Sequence, residues 1–278
     1  MSIKSNLWSI MKNISSTYYY LDKFERQKDN QFIENSKELS TIGNEMFDAF
    51  YTNNINNKEH IFFIDICGAP GMYSKILVED KKAKGFSISL PPEKGGVEYV
   101  FKHDNYKTYY KDILEKSYKI ETEKKINLGL ASCVSYIESK NSHMLNMELI
   151  ITSMNLMLSI LENNGDMIIN MSMKNIYSCY NILDLLMKQF NSIKLWKSEN
   201  VWATKNTFYI FCYGFKKNID MSKYINHIKN EKSDINIKYI GDNNNLKIIN
   251  KMMVDIYKIR INAWVNLIAS EDLKKGQY

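Results

Sequence analysis

The sequence predicts an α/β fold in which a mostly parallel sheet has helices on both faces. Short apolar runs alternate along the chain with longer segments whose apolar residues recur at helical spacing, as expected when strands are buried on both faces. The first of these runs, Ile61 to Ile66, is apolar except for Asp65. A glycine-containing turn and a helix start follow it directly, which is the strand-turn-helix order of such folds.

The first 57 residues are predicted to form a helical extension. Residues 1–40 are polar and weakly periodic and predict one or two helices. The segment from Ser40 to Tyr51 has apolar residues at helical spacing and predicts a helix that packs on the sheet. The main domain is predicted over 58–217. Residues 218–278 are predicted to form a linker and an amphipathic helix that packs on this domain or offers a surface to a partner.

The turn after the first strand, Cys67-Gly68-Ala69-Pro70-Gly71, predicts a cofactor site. Two glycines three positions apart let the backbone turn sharply and leave room for a ligand to approach the main chain. The helix that follows directs its free N–H groups and its positive dipole end toward the same place. The loop matches neither the dinucleotide fingerprint nor the P-loop, so a nicotinamide or nucleoside triphosphate is not expected. The alternative is an ordinary strand-to-helix turn.

Residues Asp65 to Ser74 read D-x-C-G-A-P-G-x-x-S, which closely resembles the first motif of FtsJ-like RNA 2′-O-methyltransferases. The resemblance implies a Rossmann-like, S-adenosylmethionine-dependent methyltransferase domain with a seven-stranded sheet. It also implies that the loop runs along the methionine part of the cofactor, with Asp65 near its amino group. The cofactor-binding residues expected on this basis are Asp65, Cys67, Gly68, Ala69, Pro70, Gly71, Tyr73, Ser74, Ser89 and Asp112.

Ser89 and Asp112 belong to the next two predicted strands. Residues 85–90 read G-F-S-I-S-L and predict the second strand, in which Ser89 stands where many cofactor-binding folds have an acid for the ribose hydroxyls. The segment 108–114 is similar to the third strand of the family, whose aspartate accepts a hydrogen bond from the adenine amino group. The resemblance assigns this role to Asp112.

The remaining predicted elements complete the sheet. They are strands over 126–134, 165–171, 193–196 and 208–213, and helices over 144–161 and 177–190.

The Lys-Asp-Lys-Glu tetrad of the family is not kept. Ser132, Asn170 and Thr207 occupy the positions of its aspartate, second lysine and glutamate. Lys37 is the nearest candidate for the first lysine, and its alternative is a solvated surface lysine. Ribose methylation needs a group that makes the 2′-hydroxyl nucleophilic, and Ser, Asn and Thr do not titrate near neutral pH. A conventional 2′-O transfer is therefore not expected.

Composition and net charge limit the kinds of partner that the chain is expected to have. The chain has 278 residues, of which 45% are hydrophobic, as in a soluble globular protein. It has no apolar run of the ~18 residues that a membrane span needs and no apolar secretory signal, so we expect a cytoplasmic protein without membrane contact. The 37 lysines and arginines exceed the 31 acidic residues and give a net charge of +6. This charge is compatible with RNA as a partner but does not require it.

The cysteine pattern predicts reduced thiols and no metal site. Cys67, Cys133, Cys179 and Cys212 lie in apolar surroundings, and none of them forms a C-x-x-C pair. Buried thiols are the usual state of such cysteines in a cytosolic protein. Zinc sites normally need closely spaced cysteine or histidine pairs, which are missing here.

Two hypotheses about function follow. In the first, the chain is an RNA methyltransferase, directed to capped or other RNA, that acts on an atom with its own lone pair, such as a ring nitrogen of guanine. Such a transfer requires little beyond holding donor and acceptor in line. In the second, the chain is a catalytically inactive, RNA-binding or stimulatory partner of a capping enzyme, similar in layout to the small subunit of poxvirus-type capping enzymes. A small-molecule methyltransferase is a third hypothesis.

Overall fold

Seven strands form one sheet, and five helices surround it in the part of the chain that the computed structural model describes. The described residues are 32–53, 59–115, 118–122, 124–133, 142–172, 176–216, 220, 222, 224, 226, 227 and 238–275. The strands are β1 (Phe62–Ile66), β2 (Lys84–Ser89), β3 (Tyr106–Tyr110), β4 (Ile126–Ala131), β5 (Leu161–Ser172), β6 (Phe190–Trp196) and β7 (Thr207–Phe215). The helices are α1 (Phe32–Thr52), α2 (Met72–Glu79), α3 (Ser142–Ile160), α4 (Ile176–Gln189) and α5 (Asn243–Lys275).

The sheet has the order β3-β2-β1-β4-β5-β7-β6. Strands β1 to β5 run parallel to one another, and β7 runs antiparallel to both of its neighbours. The strand order reverses between β1 and β4, and ligands of such open sheets bind in the crevice at this point, outside the carboxyl ends of the strands. The predicted α/β class with a mostly parallel, seven-stranded sheet is confirmed.

A separate hydrophobic core covers each face of the sheet. One core packs α1 and α2 against side chains such as Phe63 and Phe211, and the other packs α3, α4 and α5 against side chains such as Ile64 and Ile210. Because β1 is buried on both faces, it needs the nearly continuous apolar sequence from which it was predicted.

Helix α5 packs on α4 and β6 through one buried stripe. Ile249, Met253, Ile256 and Trp264 are buried at helical spacing, whereas Ile248, which we expected on the apolar face, is 49% exposed. The start of α5 is fixed by the buried carboxylate of Asp184 on α4. Its partners include the Lys188 ammonium at 2.6 Å, the Tyr224 hydroxyl at 2.6 Å and the Asn245 amide at 2.9 Å. Burial raises the pKa of Asp184, but these hydrogen bonds outweigh it and lower the pKa to about 2.

Several element boundaries differ from the prediction. The third strand ends at Tyr110, so Asp112 lies in the turn that follows and not within the strand predicted over 108–114. The fourth strand ends at Ala131, which places Ser132 immediately after it. Helix α1 begins at Phe32, earlier than the predicted Ser40. The helices predicted before residue 32 lie outside the described residues, and the domain boundaries at 57 and 217 stay predictions.

Candidate active site

The turn at the carboxyl end of β1 is built by main-chain hydrogen bonds. The Cys67 N–H donates to the carbonyl of Ile88 on β2 at 2.7 Å, and the Gly71 N–H donates to the carbonyl of Gly68 at 2.7 Å. Gly71 has a φ of 99°, a left-handed conformation that glycine adopts readily. Helix α2 begins directly after it without a side-chain cap. The predicted sequence of strand, glycine turn and helix is confirmed.

Gly68 lies directly above two polar side chains of the sheet. A Cβ atom at this position would overlap the carboxyl group of Asp65 and the hydroxyl of Ser87. The neighbouring Ala69 N–H points to the Ser89 hydroxyl on β2, at 3.4 Å. The loop therefore rests on the end of the sheet with no space for a side chain at position 68.

Asp65 is buried beneath this loop, with 1% of its surface exposed. The Ser74 hydroxyl donates to its Oδ2 at 2.8 Å, whereas its Oδ1 has no hydrogen-bond partner within the described part of the chain. Burial raises the pKa of Asp65 to about 7, and the hydrogen bond from Ser74 opposes this only in part. A buried carboxyl oxygen without a donor is a place where a cationic or N–H group can be accommodated. This observation fits the ammonium of an amino-acid cofactor.

The other residues expected to bind the cofactor lie along the same edge of the sheet. Asp112, after β3, is partly exposed, and its Oδ1 accepts the N–H of Leu114 at 3.0 Å. Pro70 is partly exposed on the loop, where its carbonyl accepts the N–H of Val100 at 3.1 Å. Tyr73 is buried in α2, and its hydroxyl is 2.6 Å from that of Tyr209 on β7. The structure thus brings the predicted residues to one edge, with Tyr73 behind it.

The register of the sheet places two tetrad positions level with this loop. Ile66 is paired with Ala131, Ala131 with Ile169, and Ile169 with Ile210. The next residue of each strand, namely Cys67, Ser132, Asn170 and Tyr209, forms the following row. Since neighbouring strands lie about 4.8 Å apart, the backbone of Asn170 is roughly 10 Å from that of Cys67. This is the crevice at which the strand order reverses.

The side chains at these positions are polar but carry no charge. Asn170 is 7% exposed, and its Oδ1 has no hydrogen-bond partner among the described residues. Ser132 is half-buried, and Thr207 lies at the start of β7 opposite Ser172, further out along the edge. Lys37 lies exposed on α1. Asn170, Thr207 and Tyr209 share the sheet face that α1 covers, since residues of a strand alternate between faces.

A disulfide connects the two sides of the crevice. Cys67 in the loop is bonded to Cys133, which follows β4, and their Cα atoms are 5.1 Å apart. The expectation of four reduced thiols is wrong for this pair, whereas Cys179 and Cys212 remain buried thiols. The pairing was missed because the two residues are 66 positions apart in sequence. The signal was their placement at the ends of β1 and β4, which become neighbours only in the folded sheet.

The described part of the chain offers no metal site and no membrane span. No three side chains of His, Cys, Asp or Glu gather there as a metal would require. None of the helices in these ranges is long and apolar enough to cross a bilayer.

The sheet topology and the glycine turn together define a Rossmann-like methyltransferase fold. The sequence model of the FtsJ-like methyltransferases matches residues 44–215, which is more than half of the chain. The protein belongs to this family. The resemblance stated from the residues around Gly68 is thereby confirmed.

Comparison with solved structures finds distant likenesses. A ribosomal RNA methyltransferase from Plasmodium falciparum is 16% identical with a TM-score of 0.47, over 63% of this chain and 97% of that chain. Human methyltransferase-like protein 13, solved in complex with S-adenosylhomocysteine, is 11% identical with a TM-score of 0.39, over 73% of this chain and 82% of that chain. At these values the likenesses carry no information on activity. No curated protein sequence matches the chain.

Proposed function

We propose that this FtsJ-like protein is an S-adenosylmethionine-dependent RNA methyltransferase that works without a titrating catalytic base. The observation that carries the proposal is the buried, unpartnered Oδ1 of Asp65 beneath a glycine turn that would reject any side chain at position 68. A cofactor with an ammonium group and a nucleoside fits this turn. Asp65 and the loop would hold its methionine part, and Asp112 would accept the adenine amino group.

The cofactor supplies an activated methyl group, so the protein has to position the acceptor and exclude water. Asn170 and Ser132 can do this by hydrogen bonding at the crevice, because they lie in the row next to the loop. Neither side chain can remove a proton near neutral pH. The acceptor therefore has to be an atom that can be methylated without prior loss of a proton, such as an unprotonated ring nitrogen of guanine in capped or other RNA. Proximity and alignment then provide most of the acceleration.

The Tyr73 and Tyr209 hydroxyls form a buried hydrogen bond between α2 and β7. They are bonded to each other at 2.6 Å, and Tyr209 is the cross-strand neighbour of Asn170. Because Tyr73 belongs to the helix that follows Gly71, the pair connects the cofactor turn to the acceptor side of the site. We expect this contact to keep Asn170 at a fixed distance from the turn.

The product of the reaction tests the proposal. The full chain is incubated with capped RNA and S-adenosylmethionine that carries a labelled methyl group, and the RNA is then digested to nucleosides and analysed by mass spectrometry. The proposal predicts label on a base. Label on a ribose 2′-hydroxyl would contradict it, because Ser132, Asn170 and Thr207 offer no base for that chemistry.

A second candidate function rests on the same three positions. If the side chains at 132, 170 and 207 support no transfer, the chain is a non-catalytic partner that stimulates a capping or methylating enzyme. This candidate predicts binding of cofactor or RNA without turnover, together with a stable complex with the catalytic subunit. Base methylation by the isolated chain would exclude it.

A further inference from the structure

Strand β3 is an edge of the sheet and is exposed along most of its length. Residues 107–110 are all exposed, and 46% of the surface of Tyr109 is accessible. Every second position of segment 107–111 is occupied by one of Lys107, Tyr109 and Lys111. The Lys111 N–H, just beyond the end of β3, donates to the Ser89 carbonyl of β2 at 2.9 Å. Because successive residues of a strand point to opposite faces, these three side chains lie on one face. Their Cα atoms follow one another at intervals of about 6.6 Å along the strand.

This face is open because nothing helical covers it in the described chain. The connection from β3 to β4 has no helix in residues 111–115, 118–122 and 124–125, whereas helix α3 covers β4 on the same side of the sheet. The Tyr109 ring packs against Phe86 in a T-shaped arrangement, with centroids 6.1 Å apart and planes at 82°. Contact with Phe86 therefore holds Tyr109, and the 46% of its surface that stays exposed is accessible to a flat ligand.

We infer that the face formed by Lys107, Tyr109 and Lys111 binds single-stranded RNA. An aromatic ring on an exposed strand can stack with any base, and flanking lysines neutralise phosphates. The segment 106–111 contains no carboxylate, so its charge complements a polyanion. An edge strand that has lysines only to prevent strand pairing does not need an exposed, fixed tyrosine between them. This inference rests on the proposed RNA methyltransferase function.

The position of the face supports this role. The carboxyl end of β3 lies at the same edge of the sheet as the cofactor turn, because β1, β2 and β3 are parallel. Asp112, assigned to the adenine, follows Lys111 directly. RNA bound at this face would therefore pass the adenosine end of the cofactor. The opposite face of the same edge has Tyr110, whose hydroxyl accepts the Tyr99 N–H at 3.1 Å, and this residue is not needed for the track.

Fluorescence anisotropy with a short, labelled oligouridylate tests the inference on the full chain at several salt concentrations. The double variant Lys107→Gln/Lys111→Gln should bind more weakly and should lower the slope of log K against log salt by ~0.7 for each lysine. Tyr109→Leu keeps the contact with Phe86 but loses the stacking surface, and it should weaken binding at least about fivefold. The control, Lys247→Gln/Lys251→Gln on α5, removes the same charge from exposed positions elsewhere and should leave the slope unchanged.

A second measurement does not depend on the variants. Photo-crosslinking of oligouridylate containing 4-thiouridine should label the peptide that contains Tyr109. The inference would be overturned if the wild type, the two variants of the face and the control bound RNA with equal affinity and the crosslinks lay elsewhere. The face would then be a candidate surface for a protein partner. If those proteins still bind S-adenosylhomocysteine and transfer methyl groups, the proposed function survives without this surface. Crosslinking at Tyr109 without any cofactor binding would instead support the surface and contradict the methyltransferase.

Discussion

The two sides of the crevice, which lie at one edge of one sheet, differ in what they retain. On the side of β1 and β2, the turn keeps the family motif from Asp65 to Ser74, and each of its features depends on backbone conformation or buried packing. On the side of β4, β5 and β7, the strands complete the sheet, and the positions that the sequence comparison assigned to the tetrad have uncharged side chains. The fold therefore extends across both sides, whereas the family's first motif belongs to only one of them.

The difference shows which parts of such a site can change independently. Replacing Gly68 would disturb Asp65 and Ser87 beneath it, so the turn cannot be altered without altering the sheet. At the ends of β4 and β5, Asn170 is buried and Ser132 is half-buried, and neither belongs to a turn whose backbone requires one residue type. We therefore expect substitutions at the turn to disturb the structure more than substitutions at Ser132 or Asn170.

The largest expected effect is on the cofactor side. Gly68→Ala adds a Cβ atom that overlaps Asp65 and Ser87, and it should abolish binding of S-adenosylhomocysteine in isothermal titration calorimetry. Gly95→Asn is the matched control, because nothing lies within 4 Å of a Cβ at Gly95 and asparagine tolerates its φ of 89°. Unchanged calorimetry for Gly68→Ala would show that the turn receives no cofactor.

The second prediction concerns the bond that joins the two sides. The Cys67–Cys133 disulfide closes a loop of 66 residues, and in the chain-entropy model it stabilises the protein by about 4 kcal/mol. A reductant should lower the free energy of unfolding in urea by about this amount. Cys133→Ser should be equally destabilised and insensitive to the reductant. If thiol titration of the wild-type protein found four free thiols before any reductant was added, the disulfide would not exist in solution.

The third prediction is the pH dependence of stability that Asp65, on the cofactor side, contributes. Burial raises the pKa of Asp65 from its ordinary 3.8 to about 7, so the folded protein favours the neutral carboxyl. The resulting contribution to the free energy of unfolding is fully present below about pH 4 and is lost as the pH rises through about 7. It amounts to up to about 4 kcal/mol.

Urea unfolding at about pH 5 and about pH 8 measures this contribution. Asp65→Asn should lose less stability than the wild type between the two values, because it has no proton to release. Asn170→Ala, on the acceptor side, should keep the wild-type dependence. If the free energy of unfolding changed equally with pH in Asp65→Asn and in the wild type, the Asp65 carboxyl would have to be charged in the folded protein.

The smallest effect is expected at the outer end of the cofactor site. Asp112→Ala should weaken S-adenosylhomocysteine binding by about 1–3 kcal/mol, since the adenine amino group would lose its acceptor. Asp104→Ala removes an exposed carboxylate shortly before β3 and serves as the control. A loss of binding well below this range, or an equal loss in both variants, would take Asp112 out of the site.

Much of the fold was predictable, because strands buried on both faces have an unmistakable apolar sequence. Every strand predicted from β1 to β7 is present, and Gly68 and Gly71 marked the turn. The pairing of Cys67 with Cys133 and the contact of Tyr73 with Tyr209 could not be predicted, because each depends on which strands become neighbours. The end of β3 was misplaced because the similarity to the family's third strand was extended past Tyr110 into a turn, in which the Asp112 carboxylate accepts the Leu114 N–H.

The most direct test of the account is calorimetric titration of the full, folded chain with S-adenosylhomocysteine. A turn that keeps its glycines and leaves the Asp65 Oδ1 without a partner should bind one molecule per chain, and Gly68→Ala should bind none. A wild-type chain that melts cooperatively but takes up no S-adenosylhomocysteine would contradict the account.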